Sequence, residues 1–147
     1  LIRDLQKVQD FDEVVRLATS FYQEQETKFT LDTDGMRLLL QQAMIPELSI
    51  YFCKLLEHEE TVQGFIFGVL GRPAYFKEVI AAELAWYVAP AARGGPSSVK
   101  LLRAFEDWAK YRGADYVALS HLGDPMIDNL YQRYGYALKE HVYVKGM

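Results

Sequence analysis

The chain has 147 residues, 50% of them apolar, 24% charged and 14% aromatic, which excludes a disordered tail, a collagen-like polymer or a low-complexity segment and predicts one globular domain over residues 1–147. The 16 basic and 20 acidic residues give a net charge of −4 with no Lys/Arg run to track a phosphate backbone, so nucleic acid is not an expected partner. The lone Cys53 cannot close an internal disulfide, no apolar stretch approaches the ~20 residues that span a bilayer, and Leu1–Asp10 lacks the basic start and apolar centre of a signal peptide; a cytoplasmic location without membrane or export is the expectation.

Leu1–Val8 alternates loosely and predicts a strand. Asp10 then precedes Phe11, Val14, Val15, Ala18, Phe21 and Tyr22, spaced for one helical face, with Glu13 in the capping-box position. A second helix is predicted from Met36, Leu39, Leu40, Ala43 and Met44, opening after Thr33 or Asp34 and closed by Pro46. Ser49–Leu56 and Val62–Leu70 are β-branched and aromatic, joined by the polar turn His58–Thr61, and read as a hairpin whose second strand is apolar on both faces and therefore central. Val79–Val88 makes another long strand. Val99, Leu102, Phe105 and Ala109 oppose Lys100, Arg103, Asp107 and Lys110 in the clearest helix, ended by Gly113. Asp115–Ser120 reads as a short strand, Asp124 and Pro125 suit the start of a helix that Gly135 ends, and Tyr136–Lys145 returns to strand composition. The expected fold is α+β: a mixed, mostly antiparallel sheet of six or seven strands with about four helices on both faces, in the order β-α-α-β-β-β-α-β-α-β.

The loop from Val88 to Ser98 joins a strand to the strongest helix. A helix start leaves several N–H groups unpaired and carries about half a positive charge, so such a loop can hold phosphate through its backbone; it can equally be a tight turn at Gly94-Gly95 with Pro96 starting the helix. Val88-Ala89-Pro90 followed by Arg93-Gly94-Gly95-Pro96-Ser97-Ser98 resembles the V-x-P strand end and R/Q-x-x-G-x-G/A loop of the GNAT family of acyl-CoA-dependent N-acetyltransferases. Arg93 fits the first loop position; Pro96 and Ser98 stand where the family has Gly and Gly or Ala, and Pro96 removes one N–H. A second stretch, Asp124 to Tyr136, is similar to the family's N-x-x-A-x-x-L-Y-E-K-x-G-F signature, with Leu130-Tyr131 and Gly135-Tyr136 matching in type and spacing.

The resemblance implies an acetyl-CoA-dependent enzyme that transfers acetyl directly to a primary amine, the alternative being a catalytically silent acyl-CoA-binding or protein-interaction module. It implies cofactor contacts from Trp86, Tyr87, Val88, Arg93, Gly94, Gly95, Ser97, Ser98, Asp124 and Asn129, and Tyr131 as the acid for the departing thiolate. The base is open between Glu83, the one carboxylate in an apolar strand, His121 at the end of the next strand, and attack by an already neutral amine. No metal is expected, since His58, His121 and His141 lack ligand spacing. The acceptor wall is expected from Phe29–Gly35, Gly71–Glu78 and the C-terminal hairpin, with acidic composition favouring a cationic acceptor. His141–Val144 offers a pairing edge for a homodimer.

Overall fold

Strand alternation and helical periodicity assemble the nine main elements around one sheet. The computed structural model describes Leu1–Met147. Its elements are β1 (Ile2–Asp4), α1 (Val8–Glu24), α2 (Thr33–Gln42), β2 (Tyr51–His58), β3 (Thr61–Gly71), β4 (Ile80–Val88), α3 (Ser97–Tyr111), β5 (Tyr116–Ala118) and α4 (Pro125–Arg133). The strands lie in sequence order, antiparallel as far as β4, and β5 runs parallel to β4. A parallel neighbour requires a crossover, and α3 supplies it.

Period-2 alternation divides the buried residues between two cores. Val14, Leu17 and Leu40 of α1 and α2 meet Leu55, Phe65 and Phe67 on one face, while Leu101, Phe105 and Trp108 of α3 meet Phe52 and Ile66 on the other. β3 is buried on both faces, as its continuous apolar run predicts. Gly68 makes the second core close: a Cβ there would lie 2.3 Å from Phe105 Cε1.

Two expectations change. The first helix starts at Val8, with Lys7 as N-cap. Asp10 therefore sits inside the first turn, 1% exposed, where it accepts N–H bonds from Gln6 and Lys7 at 2.8 and 3.2 Å and both terminal nitrogens of Arg3 at 2.8 and 2.9 Å. Tyr136–Lys145 does not form a strand, and the sheet has five strands instead of six or seven. Alternation needs a ladder to become a strand, and no backbone hydrogen bond involves a residue beyond Tyr136; Val142, Tyr143 and Val144 are exposed. No helix is long and apolar enough to cross a membrane.

Candidate active site

Two irregularities in β4 create the site. Its parallel pairing with β5 covers only Ile80–Ala82 against Tyr116–Ala118, after which the strands part. On its other edge the register jumps from Phe67–Ala85 to Gly68–Glu83, so Leu84 has no opposing residue. This bulge reverses the alternation: Ala81 faces α3, whereas Ala85 and Tyr87 face α1. Glu83 stands at the fork, just past the last residue paired with β5.

There its Oε1 accepts the Ser120 N–H at 3.3 Å. Burial pushes the Glu83 carboxyl up to about 7, a rise the Ser120 bond only partly offsets. Tyr131 of α4 donates its O–H to the Ser120 carbonyl at 2.9 Å and stacks on Trp86, with ring centroids 6.1 Å apart and planes 9° apart. Its phenol is pushed up by burial and secondarily by the Glu83 charge. Tyr22 of α1 is raised by the same two causes in the same order. The carboxylate of Glu83 is thus felt by a tyrosine from each side of the fork.

The loop before α3 presents donors. The N–H groups of Gly94, Gly95, Ser97, Ser98 and Val99 have no hydrogen-bond partner within the chain, and Gly94 adopts φ +87°, a conformation glycine accepts without strain. Pro96 is the N-cap of α3. The arrangement suits a diphosphate, with the helix start adding its partial positive charge. Arg93, in contrast, turns back: its Nε donates to the Val88 carbonyl at 2.7 Å and its Nη2 bonds both Glu24 carboxylate oxygens at 3.0 and 2.7 Å. Tyr87 completes this cluster, donating to Glu24 at 2.9 Å with Arg93 over its ring. Burial tends to raise the Glu24 carboxyl, but the bonds from Arg93 and Tyr87 hold it below its ordinary range.

The remaining predicted residues are placed unevenly. His121 is at the fork's α4 side, edge-on to Tyr131 at 5.6 Å. Its Nδ1 accepts the Gly123 N–H at 3.0 Å and its Nε2 lies 3.5 Å from Asp128, so in the neutral ring the proton is on Nε2 and no lone pair is directed toward the cleft. Asp124 caps α4 through the Met126 N–H at 2.9 Å, and Asn129 is exposed on the same helix. Three further residues at the site give little signal in the sequence: Tyr22 belongs to an apolar stripe, Glu24 carries no motif, and Ser120 contributes through backbone atoms any residue possesses.

On the α1–α2 side of β4 lies a cavity of about 570 Å³. It includes Leu31, Asp32 and Gly35 from the expected acceptor wall, but no residue of Gly71–Glu78 or the C-terminal segment. Tyr75 and Phe76 lie outside it, exposed, their ring centroids 5.1 Å apart and planes tilted by 40°.

Residues 11–136 match the sequence model of the acetyltransferase (GNAT) family. Among solved structures, a mutant of the BH1408 protein from Bacillus halodurans superposes with a TM-score of 0.79 at 17% identity, covering 100% of this chain and 99% of its own. The aminoglycoside acetyltransferase AAC(6')-Iy, in complex with the bisubstrate analogue CoA-S-monomethyl-acetylneamine, superposes at 0.76 with 15% identity and coverage of 100% and 97%. Ribosomal-protein-alanine N-acetyltransferase from Brucella melitensis biovar Abortus 2308 gives 0.71, 18% identity and coverage of 100% and 98%. No curated protein matches the chain in sequence.

Proposed function

The chain belongs to the acetyltransferase (GNAT) family, and from that premise we propose that it transfers an acetyl group from acetyl-CoA directly to a primary amine, with Glu83 as the base and Tyr131 as the donor to the leaving thiolate. The observation that carries this reading is the position of Glu83 at the fork, with Tyr22 on one side and Tyr131 on the other.

Acetyl-CoA supplies the thioester, already activated, so no covalent intermediate on the protein is needed. Its diphosphate is assigned to the five unpartnered amides between Gly94 and Val99, and its thioester arm to the edge of β4 from Glu83 to Val88 that no strand covers. Trp86 and Tyr131 flank that edge. Arg93 is assigned a positioning role, since its guanidinium fixes the loop to Val88 and Glu24. Contacts from Asp124 and Asn129 would come from the α4 side.

An alkylammonium has a pKa of ~10 and no lone pair, so it gives up one proton before its nitrogen attacks; a second proton, made acidic as the N–C bond forms, leaves as the intermediate collapses to amide and thiolate. A carboxyl near pH 7 is half-ionised there and can accept it, whereas an ordinary surface glutamate is a weaker base. Tyr131 stays protonated throughout the working range, so what it offers the departing sulfur is always a donor, provided its O–H turns from the Ser120 carbonyl. His121, with both nitrogens engaged, fits a role in holding Tyr131 better than one as base. The structures in complex with CoA-S-monomethyl-acetylneamine and with CoA support a CoA-type donor by likeness of fold. The silent-module alternative rests on Pro96 and Ser98, and the unpartnered amides beside them weigh against it.

The test has two steps. Acetyl-CoA is expected to raise the melting temperature, a ligand at 100-fold its Kd adding ~2.7 kcal/mol to the folded state. Free thiol is then expected to appear when an amine is added; binding without amine-dependent thiol release would leave the silent module instead.

A further inference from the structure

We propose that the acceptor is a small primary monoamine carrying an apolar aryl or branched-alkyl body, a substrate class that rests on the acetyltransferase reading above. The cavity of about 570 Å³ on the α1–α2 side of β4 carries the inference. It is formed where α2 and the α1–α2 connection stand over the β4 bulge, and 8 of its 11 lining residues are hydrophobic. Leu84, the unopposed bulge residue, forms part of the floor beside Phe67, while Met36, Leu38 and Leu39 descend from α2.

The cavity adjoins the chemistry. Leu84 is the chain neighbour of Glu83, and Tyr22, which lines the cavity, is the residue whose phenol the Glu83 charge perturbs. An amine directed at Glu83 from this side lays its body across Leu84 and α2. That wall leaves large apolar surface wet, with Leu38 63% and Leu84 42% exposed, and covering it is favourable by roughly 25 cal/mol per Å². The volume lies within the roughly 300–1,000 Å³ of small-molecule sites.

Charge argues in the same direction. The cavity holds one carboxylate, Asp32, and its Oδ1 is already committed to the Gly35 N–H at 2.9 Å as the cap of α2. A polyamine or aminoglycoside needs an acid for each further ammonium group, and this wall does not provide them. The net charge of −4 is thus no guide to the acceptor, because Asp32 is the one carboxylate among the residues lining this cavity.

The experiment compares 2-phenylethylamine and isoamylamine with spermidine and kanamycin as acceptors, following free thiol release by the full chain with acetyl-CoA. The apolar monoamines are expected to give kcat/KM at least tenfold above the polycations. Leu38→Glu, an exposed position that the fold tolerates, is expected to raise KM for 2-phenylethylamine roughly tenfold, the scale of losing one apolar contact, with acetyl-CoA affinity unchanged. Preference for spermidine or kanamycin, or an unaltered KM in Leu38→Glu, overturns the acceptor class and leaves the acetyltransferase reading standing. Thiol release with none of the four amines, despite acetyl-CoA binding, overturns the transfer step itself and this inference with it.

Discussion

Glu83→Gln should make the protein slower and, above neutrality, more stable. The carboxyl is raised from its ordinary 4.5 to about 7 by burial at the fork; at ~1.36 kcal/mol per factor of ten in proton affinity, that gap amounts to about 3 kcal/mol. The sign follows from which form the fold prefers. Folding favours the protonated carboxyl, so below pH 4.5 both folded and unfolded chains carry the proton and no stability is lost. Between pH 4.5 and about 7 the unfolded chain releases its proton first, the folded state loses stability progressively, and the full loss persists above. Glutamine cannot ionise and still offers an oxygen to the Ser120 N–H. Urea denaturation of both proteins at pH 4.5 and pH 8 should give nearly equal stabilities at the lower pH and a variant stabler by up to about 3 kcal/mol at the higher. In the same proteins, wild-type kcat/KM should climb about tenfold per pH unit up to pH 7, and the variant should lose that limb along with ~10²–10⁴ in rate. A variant no stabler at pH 8 than at pH 4.5, relative to wild type, refutes the buried-carboxyl argument. A variant that retains the acidic limb refutes Glu83 as the base.

Tyr131→Phe should lower kcat by ~10²-fold or more while the acetyl-CoA Kd, measured by calorimetry, stays within about threefold, because the ring that stacks on Trp86 is retained and only the donor is lost. Gly68→Ala should destabilise by about 1–3 kcal/mol in thermal unfolding, since its Cβ would meet the Phe105 ring at 2.3 Å with the Ala82 carbonyl at 3.0 Å behind. Asp10→Ala should cost about 3 kcal/mol or more in denaturant titration, leaving Arg3, 11% exposed, with only Glu57 opposite. Arg3 and the N–H bonds of Gln6 and Lys7 outweigh burial and hold Asp10 below its ordinary range, so this contribution is present above pH 3.8 and fades as acid protonates it.

Side-chain pattern carried most of the architecture. Four helices, the β2–β3 hairpin and the central position of β3 follow from periodicity and caps, and each lies within a few residues of its expected place, whereas the parallel crossover through α3 is seen only in the structure. The helix start at Lys7 was misread because Asp10 looks like an N-cap in sequence, while its role is fixed by Arg3 on a neighbouring strand. The C-terminal strand was misread for the complementary reason: Tyr136–Lys145 has the composition of a strand but no partner edge. At the candidate site, Glu83 stands out in the sequence as the one carboxylate of an apolar strand, and Tyr131 as a tyrosine at the spacing of the family signature. The Leu84 bulge was not, since one unpaired residue leaves no compositional trace, and neither was the Glu24–Arg93 pair, whose members are 69 positions apart.

The fork and the bulge tie the chemistry to its energetic cost. Had β4 stayed paired with β5 beyond Ala82, Glu83 would have no groove beside it and the edge assigned to the thioester would be occupied by a strand. Had Leu84 been accommodated in register, Ala85 and Tyr87 would share the α3 face with Ala81, and the α1–α2 cavity would lose its floor beside the carboxylate. Glu83, partly buried at this fork, has a single N–H from Ser120 as its hydrogen-bond partner and no cation paired with it. A carboxyl raised to about 7 and a stability loss of about 3 kcal/mol above that pH are therefore one physical effect, to be read in two experiments. Supplying Glu83 with a cation to recover that stability, for example by Ser120→Lys, should return its carboxyl toward 4.5 and flatten the acidic limb of the rate profile. A limb left near pH 7 while stability at pH 8 rises would separate the two effects and remove the basis for assigning the proton to Glu83.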